Sequence, residues 1–299
     1  MRDKSPKVVT FNLLGGVGNQ LFIYFAGQFF QELTGKKVLY EQVRLSKSDS
    51  IHNSNLKDLD IEIPIRTSFY ARQPIGKVLY LTRKYYALFP TLSRSVYLSE
   101  KSGFDPDLNL SLNANRVHGY FQSHKYFSAL KSKNNFELFP RNPSKIFLLE
   151  LKLIDEVRPI SIHIRRGDYY KNPKFGILSK YYYKNAIEIA QNILGSSQIW
   201  VFSDDLDSAA TILDFIPAKQ LKFVSKSLSD SEALVLMSRS AGLIIANSTF
   251  SFWGALVGNP SKLVIAPDKW FKALEDPEHL YPESWLSCVS DWEDVGKNP

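Results

Sequence analysis

Apolar runs and polar breaks alternate along the chain in a pattern that predicts α/β structure. Val8 to Leu13 is a buried-strand pattern, followed by a glycine turn and a helix from about Asn19. Lys37 to Tyr40 reads as a second strand, and the asparagine- and serine-rich stretch from Ser46 to Asp60 as loop. Ile75 to Phe89 has apolar residues near helical spacing, with Lys77, Arg83 and Lys84 on the other side. Asn109 to Asn115 is turn-rich, Arg116 to Phe121 predicts a strand, and Lys125 to Leu130 and Ser144 to Leu153 predict helices. Pro159 marks a break. Beyond it, apolar strands at Ile160 to Ile164, Gln198 to Phe202, Leu221 to Val224, Gly242 to Ala246 and Leu263 to Ala266 alternate with helices. Those helices are Lys180 to Leu194, Leu206 to Phe215, Ser231 to Ser240 and Phe250 to Val257. Five short apolar strands alternating with helices imply a parallel sheet covered on both faces.

The 299 residues favour two domains, with the length prior at roughly 150 residues each. The pattern places the division near Pro159: residues 1–156 as one domain, 157–299 as the other with a C-terminal tail. Charge is uneven within the net +7. Between Ile63 and Ser99 there is no acidic residue, against Arg66, Arg72, Lys77, Arg83, Lys84 and Arg94, with tyrosines interleaved. From Asp268 to Pro299 eight acidic residues face three lysines. The basic stretch from 66 to 94 has two readings, a solvated helix face or a surface lying on an anionic membrane that presents a lipid-linked glycan. No recognised nucleic-acid-binding module accompanies it. The uncharged run from Val8 to Gln31 superficially resembles a signal peptide or membrane span. Asn12, Asn19, Gln20 and Gln28 would each be costly in hydrocarbon, so the strand–turn–helix reading is preferred. Cys288 is the single cysteine, which fits a reducing compartment and supplies no zinc pattern.

Ligands of open α/β sheets sit beyond the carboxyl ends of the strands. Four polar or glycine-rich loops fall there. In the first, Arg165 and Arg166 leave a strand with Gly167 and Asp168 behind them; paired guanidinium groups suit phosphate oxygens. The plainer alternative is a surface ion pair with Asp168. His163, inside that strand, is a satisfied core residue, a nucleobase contact or a base. In the second loop, Asp205 and Asp207 form an Asp-x-Asp that would suit a divalent ion on a diphosphate. Two alternatives stand beside it: Ser203 or Asp204 caps the next helix, or a carboxylate reads a purine edge. The third, Asn247-Ser248-Thr249-Phe250-Ser251, crowds hydroxyls at a helix N-terminus, which makes an anion site or simply a cap. The fourth, Gly15 to Gln20, partly matches a dinucleotide fingerprint through Gly16 and Gly18, with Glu41 as the ribose acid, but Leu21 stands where the third glycine belongs. Its alternative is a tight turn that presents Asn19 and Gln20 as hydrogen-bonders. No Walker A, GxSxG or HExxH sequence is present.

GGVGNQLF (15–22), GYFQSHKYF (119–127), HIRRGDY (163–169), FSDD (202–205) and NSTFSFWGA (247–255) together resemble the bacterial α-1,2-fucosyltransferases, of the glycosyltransferase family 11 type. The pieces keep the family's order across nearly the whole chain. Phe121 stands where tryptophan is frequent, and Phe252 replaces the first of a usual tryptophan pair. The resemblance implies a GT-B-like architecture, two Rossmann-like domains facing across a cleft, with acceptor on the N-terminal side and donor on the C-terminal side. It implies transfer of L-fucose from GDP-fucose with inversion and no metal, to the 2-hydroxyl of a terminal galactose on a glycan, in cell-surface polysaccharide synthesis. It implies that Arg165 holds the diphosphate with Arg166 in support, that His163 and Asp204 (with Asp205 beside it) meet guanine, and that Asn247, Ser248, Thr249 and Ser251 line the phosphate loop. Asn19 and Gln20 fall on the acceptor side. For the general base, Asp168 is the first candidate and His163 the second. The implied setting is cytoplasmic, or peripheral on the inner membrane face. Rival readings are a transferase for another sugar nucleotide, an NAD-dependent oxidoreductase resting on Gly16, Gly18 and Glu41, and a noncatalytic nucleotide- or glycan-binding protein.

Overall fold

The computed structural model of the chain describes residues 8–44, 56–69, 96–99, 101–105, 108, 114–131 and 136–294. The helix expected from Ile75 to Phe89, and most of the basic stretch around it, lie outside the described residues. The chain forms two compact units. One contains residues 1–57, 61–135 and 277–280; the other contains 58–60, 136–276 and 281–299.

The first unit is a five-stranded sheet ordered β3-β2-β1-β5-β4, with every pairing parallel. Its strands are β1 (Val8–Leu13), β2 (Lys37–Arg44), β3 (Ile65–Phe69), β4 (Val96–Leu98) and β5 (Arg116–His118). Gly15 takes a positive φ of 66° and Gly16 is the N-cap of α1 (Val17–Thr34). The helix thus begins two residues before the expected start. It ends at Gly35, whose left-handed backbone donates to the Gln31 carbonyl. The uncharged stretch is explained by burial. Phe11 on β1 packs on Phe30 of α1 and on Tyr40 and Phe121. Among the described residues no helix is long and apolar enough to cross a membrane.

β2 runs to Arg44, beyond the expected Tyr40, because β3 pairs along its far half. β5 stops at His118 instead of reaching Phe121. The reason is local: Phe121 adopts φ 53° and folds its ring back over Gly119, so the chain turns out of the sheet. Ser123 then caps the short helix α2 (His124–Ser128).

The second unit is a six-stranded parallel sheet ordered β11-β10-β9-β6-β7-β8. Its strands are β6 (Ile160–Ile164), β7 (Ile199–Ser203), β8 (Leu221–Phe223), β9 (Gly242–Ile244), β10 (Leu263–Pro267) and β11 (Leu286–Cys288). The helices are α3 (Lys145–Val157), α4 (Lys180–Leu194), α5 (Leu206–Ile212), α6 (Asp230–Arg239) and α7 (Thr249–Leu256). Every residue of β6 is buried, so Ser161 and His163, which alternate with its isoleucines, are covered as well as the apolar positions. Ile162 and Ile164 enter a core with Tyr182, Tyr183, Ala186 and Val201. β11 was not anticipated; its leucine-serine-cysteine sequence is too short to register as a strand.

Helix α3, which runs across residue 156, clusters with this second unit. Phe147 and Ile154 are its buried residues, and the Ser144 N–H donates to Glu232 at 2.6 Å. Glu232 also closes the capping box of α6 with Ser229, so one carboxylate anchors both helix starts. α5 ends at Ile212, short of Phe215, where the Leu213 N–H bonds the Ala209 carbonyl and the chain turns.

Candidate active site

β6 is a central strand of its sheet, and its carboxyl end delivers Arg165 and Arg166. The two arginines part company there. Arg165 is 27% exposed and lies between two carboxylates: Nη1 is 3.1 Å from Asp204 Oδ2 and Nη2 is 2.6 Å from Asp168 Oδ1. Its guanidinium carbon also lies 5.4 Å from the Tyr169 ring centroid. Burial opposes the charge of Arg165, but Asp204, Asp168 and Tyr169 outweigh it and raise its pKa. The group is a fixed cation, partly open to solvent, at the strand end where ligands of such sheets bind.

Arg166 is 0% exposed. Its guanidinium meets Glu293 as an ion pair, Nη1 to Oε2 at 2.8 Å, without an aligned N–H···O bond. Two arginines directed together into a cleft is therefore not what the fold builds. One faces outward and the other is an internal anchor, because residues that follow each other out of a strand leave on opposite sides.

Asp204, at the end of β7, connects the two. Its Oδ1 accepts from the Arg166 N–H at 2.9 Å, while Oδ2 pairs with the Arg165 side chain. Gly167 lies against the same carboxylate, and a Cβ there would collide with Oδ2. Asp205 takes the capping role expected of Ser203 or Asp204. It accepts from the Ser208 N–H at 3.1 Å and from the Ser208 hydroxyl at 2.7 Å, and those bonds lower its pKa. Ser203 stabilises the turn by accepting from the Asp205 N–H at 3.0 Å. The Asp-x-Asp is thus half committed to starting α5. Among the described residues no group of three or more His, Cys, Asp or Glu is placed to hold a metal ion.

His163 lies on β6, buried, with Nδ1 lacking a hydrogen-bond partner and its ring 5.6 Å from that of Phe250. Burial, with Arg165 nearby, lowers its pKa to about 3. A group so reluctant to take a proton is a poor general base near pH 7. Asp168 is 53% exposed, with one carboxylate oxygen engaged by Arg165.

The loop before α7 divides in the same way. Asn247 is 2% exposed and its side-chain N–H groups reach the carbonyls of Phe175, Gly176 and Trp270 at 3.1–3.2 Å. Its own carbonyl accepts from the Tyr169 hydroxyl at 2.8 Å, so a single tyrosine joins this loop to Arg165. Ser251 is fully buried and donates back to the Ser248 carbonyl at 3.2 Å. Ser248 is the N-cap of α7 and makes no side-chain cap bond, and Thr249 beside it is half-buried. The first N–H groups of an uncapped helix carry partial positive charge and suit an anion. Phe252 and Trp253 are buried and fix the helix from within, with Phe252 packed near Tyr281 and Trp285.

In the first unit, Asn19 accepts from the Gln122 side chain at 2.9 Å and is half-buried. Gln20 is internal: its amide donates to the Gly15 carbonyl at 2.9 Å and accepts from the Leu56 N–H at 3.4 Å. Glu41 forms an ion pair with Arg116 on β5, two strands away, so its carboxylate is not an isolated ribose acceptor. Sequence reasoning missed Glu293 and Tyr169. The tyrosine stood inside the HIRRGDY motif, whereas nothing local marks Glu293 among the acidic residues of the tail.

The family model for glycosyl transferase family 11 matches residues 100–288. An O-antigen biosynthesis glycosyltransferase of Escherichia coli, WbnK, is 28% identical, over 92% of this chain and 98% of its own. An alpha-1,2-colitosyltransferase of Escherichia coli is 29% identical, over 93% of this chain and 98% of its own. Among solved structures, POFUT1 in complex with GDP-fucose superposes with a TM-score of 0.51 at 12% identity, covering 89% of this chain and 99% of that one. That likeness shows the fold, a GT-B-like pair of parallel-sheet units. The match to the family runs through β6, the Arg165 turn and α7, and the chain belongs to glycosyl transferase family 11 and is a glycosyltransferase.

Proposed function

We propose that the chain transfers L-fucose from GDP-fucose, with inversion and without a metal, to the 2-hydroxyl of a terminal galactose on a glycan. The observation that carries this reading is Arg165, a permanent cation held by Asp204 and Asp168 and joined through Tyr169 to the uncapped start of α7. In-line attack drives negative charge onto the departing diphosphate, and a preorganised guanidinium with a helix N-terminus stabilises that charge. An arginine in this role makes a metal unnecessary. His163 serves as a neutral hydrogen-bonding contact for the base. Asp168 is the candidate base, turning from Arg165 to the acceptor hydroxyl once the diphosphate engages the guanidinium. Support for the fucosyl group comes from the galactoside 2-alpha-L-fucosyltransferase of Caenorhabditis elegans, 26% identical over 90% of this chain. The 29% identical colitosyltransferase favours a second reading, a donor carrying a colitosyl group. In this reading the acceptor belongs with the N-terminal residues and the enzyme acts in the cytoplasm.

A thermal-shift panel of GDP, UDP, ADP and NAD, each with and without EDTA, tests the donor. A ligand at 100 times its Kd stabilises by about 2.7 kcal/mol. GDP alone shifting the transition, indifferent to EDTA, is the expected result. A shift with NAD or UDP instead, or one abolished by EDTA, overturns the reading. Product formation from GDP-fucose against its colitosyl counterpart then decides between the two sugars.

A further inference from the structure

We infer that Glu293, in the C-terminal tail, is a positioning residue for the donor site, setting Arg165 through the buried Arg166. This rests on the reading of Arg165 as the ligand of the donor's diphosphate. The tail returns along the second unit as a strap. The Ser179 N–H donates to the Asp291 carbonyl at 2.8 Å, and the Glu293 N–H to the Ile177 carbonyl at 2.8 Å. Trp292 bridges to Leu178 and covers Gly176, where a Cβ would meet its ring. Lys272 Nζ donates to the Glu293 carbonyl at 3.1 Å. The strap therefore places one carboxylate on a fully buried guanidinium 2.8 Å away.

That carboxylate has an electrostatic task. A buried guanidinium cannot shed its proton, so it needs a counter-charge within reach. Among the described residues Nε and Nη2 of Arg166 find no hydrogen-bond partner, and its side chain forms an ion pair with Glu293. The Arg166 backbone N–H meanwhile holds Asp204 Oδ1, and Asp204 Oδ2 holds Arg165. Glu293, Arg166, Asp204 and Arg165 thus form one chain of contacts from the tail to the outward-facing cation. Asn247 is fixed on the same segment, through the carbonyls of Phe175 and Gly176. Without its counter-charge, Arg166 is driven toward water, the backbone at 166 moves with it, and Asp204 no longer fixes Arg165.

The test compares Glu293→Gln and Glu293→Asp with Glu275→Gln, which removes the same charge from an exposed site of the same unit. The readouts are GDP affinity of the folded protein and steady-state KM for donor and for acceptor separately. Glu293→Gln is expected to weaken GDP binding and raise donor KM about tenfold or more, with acceptor KM unchanged. Glu293→Asp, with its carboxylate withdrawn by one methylene, is expected to fall between, and Glu275→Gln to match the parent. A purely structural strap would lower the melting temperature yet leave the GDP affinity of the folded protein intact, and that result overturns the inference. If Glu293→Gln does not fold, Glu293→Asp decides alone: unchanged donor KM there refutes the proposal. Failure of the parent protein to bind GDP refutes instead the donor reading beneath it.

Discussion

On the proposed reading, replacing Arg165 by alanine removes the cation that stabilises the departing diphosphate. The guanidinium has two anionic neighbours, Asp204 at 3.1 Å and Asp168 at 2.6 Å, and stays partly open on its remaining side. Its loss has two consequences of the same sign. The developing charge on the leaving diphosphate loses a preorganised donor, an effect of about 2.7–4 kcal/mol, or on the order of 10²–10³ in kcat. Asp204 and Asp168 are also left without their counter-ion, so the donor meets two carboxylates where it had met a cation, and donor KM rises as well. Arg165→Lys keeps the charge, but a single ammonium does not span two carboxylates and a phosphate as a planar fork does, so its activity falls between. The assay is product formation from GDP-fucose at saturating and limiting donor, with GDP thermal shift on the same preparations. Turnover near the parent rate in Arg165→Ala, or an undiminished GDP shift, refutes the reasoning.

Three further outcomes follow from the same geometry. Gly167→Ala pushes a methyl group into the Asp204 carboxylate, so stability falls by about 1–3 kcal/mol and donor KM rises; unchanged donor KM would place Asp204 outside the site. His163 has a folded-state pKa of about 3 against an ordinary 6.5, so the unfolded chain takes up a proton between those values that the native state refuses. Stability attributable to it is complete above pH 6.5 and declines as pH falls toward 3; His163→Gln flattens that slope, and an NMR titration of its imidazole with a midpoint near 6.5 would contradict the assignment. Asp205→Ala removes the α5 cap and costs about 1 kcal/mol, seen as a lower melting temperature. GDP affinity should survive that change with or without Mg²⁺, and a Mg²⁺-dependent loss of affinity would restore the metal reading of the Asp-x-Asp.

Much of this architecture was written in local pattern. Strands such as ISIHI at 160–164 are buried on both faces, as in a parallel sheet covered on both sides, and short strands alternating with helices therefore reported the α/β class. The loops that carry chemistry were legible for a related reason. Strand ends in such sheets are where ligands bind, so Arg165, Asp204 and Ser248 were marked by their place after apolar strands. What the sequence could not assign was the division of labour among neighbours. Arg165 and Arg166 are chemically identical and adjacent, yet one faces solvent and the other is sealed against Glu293, 127 positions further on. Asp204 and Asp205 are likewise adjacent, but one grips an arginine and the other starts a helix. Asn247 and Gln20 also hydrogen-bond buried backbone carbonyls and amides, contacts that no local pattern marks. Residue type and spacing determine which groups reach the site's edge. Which side of the chain each one leaves on, and which distant charge meets it, is decided by packing, because burial and counter-charge come from segments that only the tertiary structure brings together.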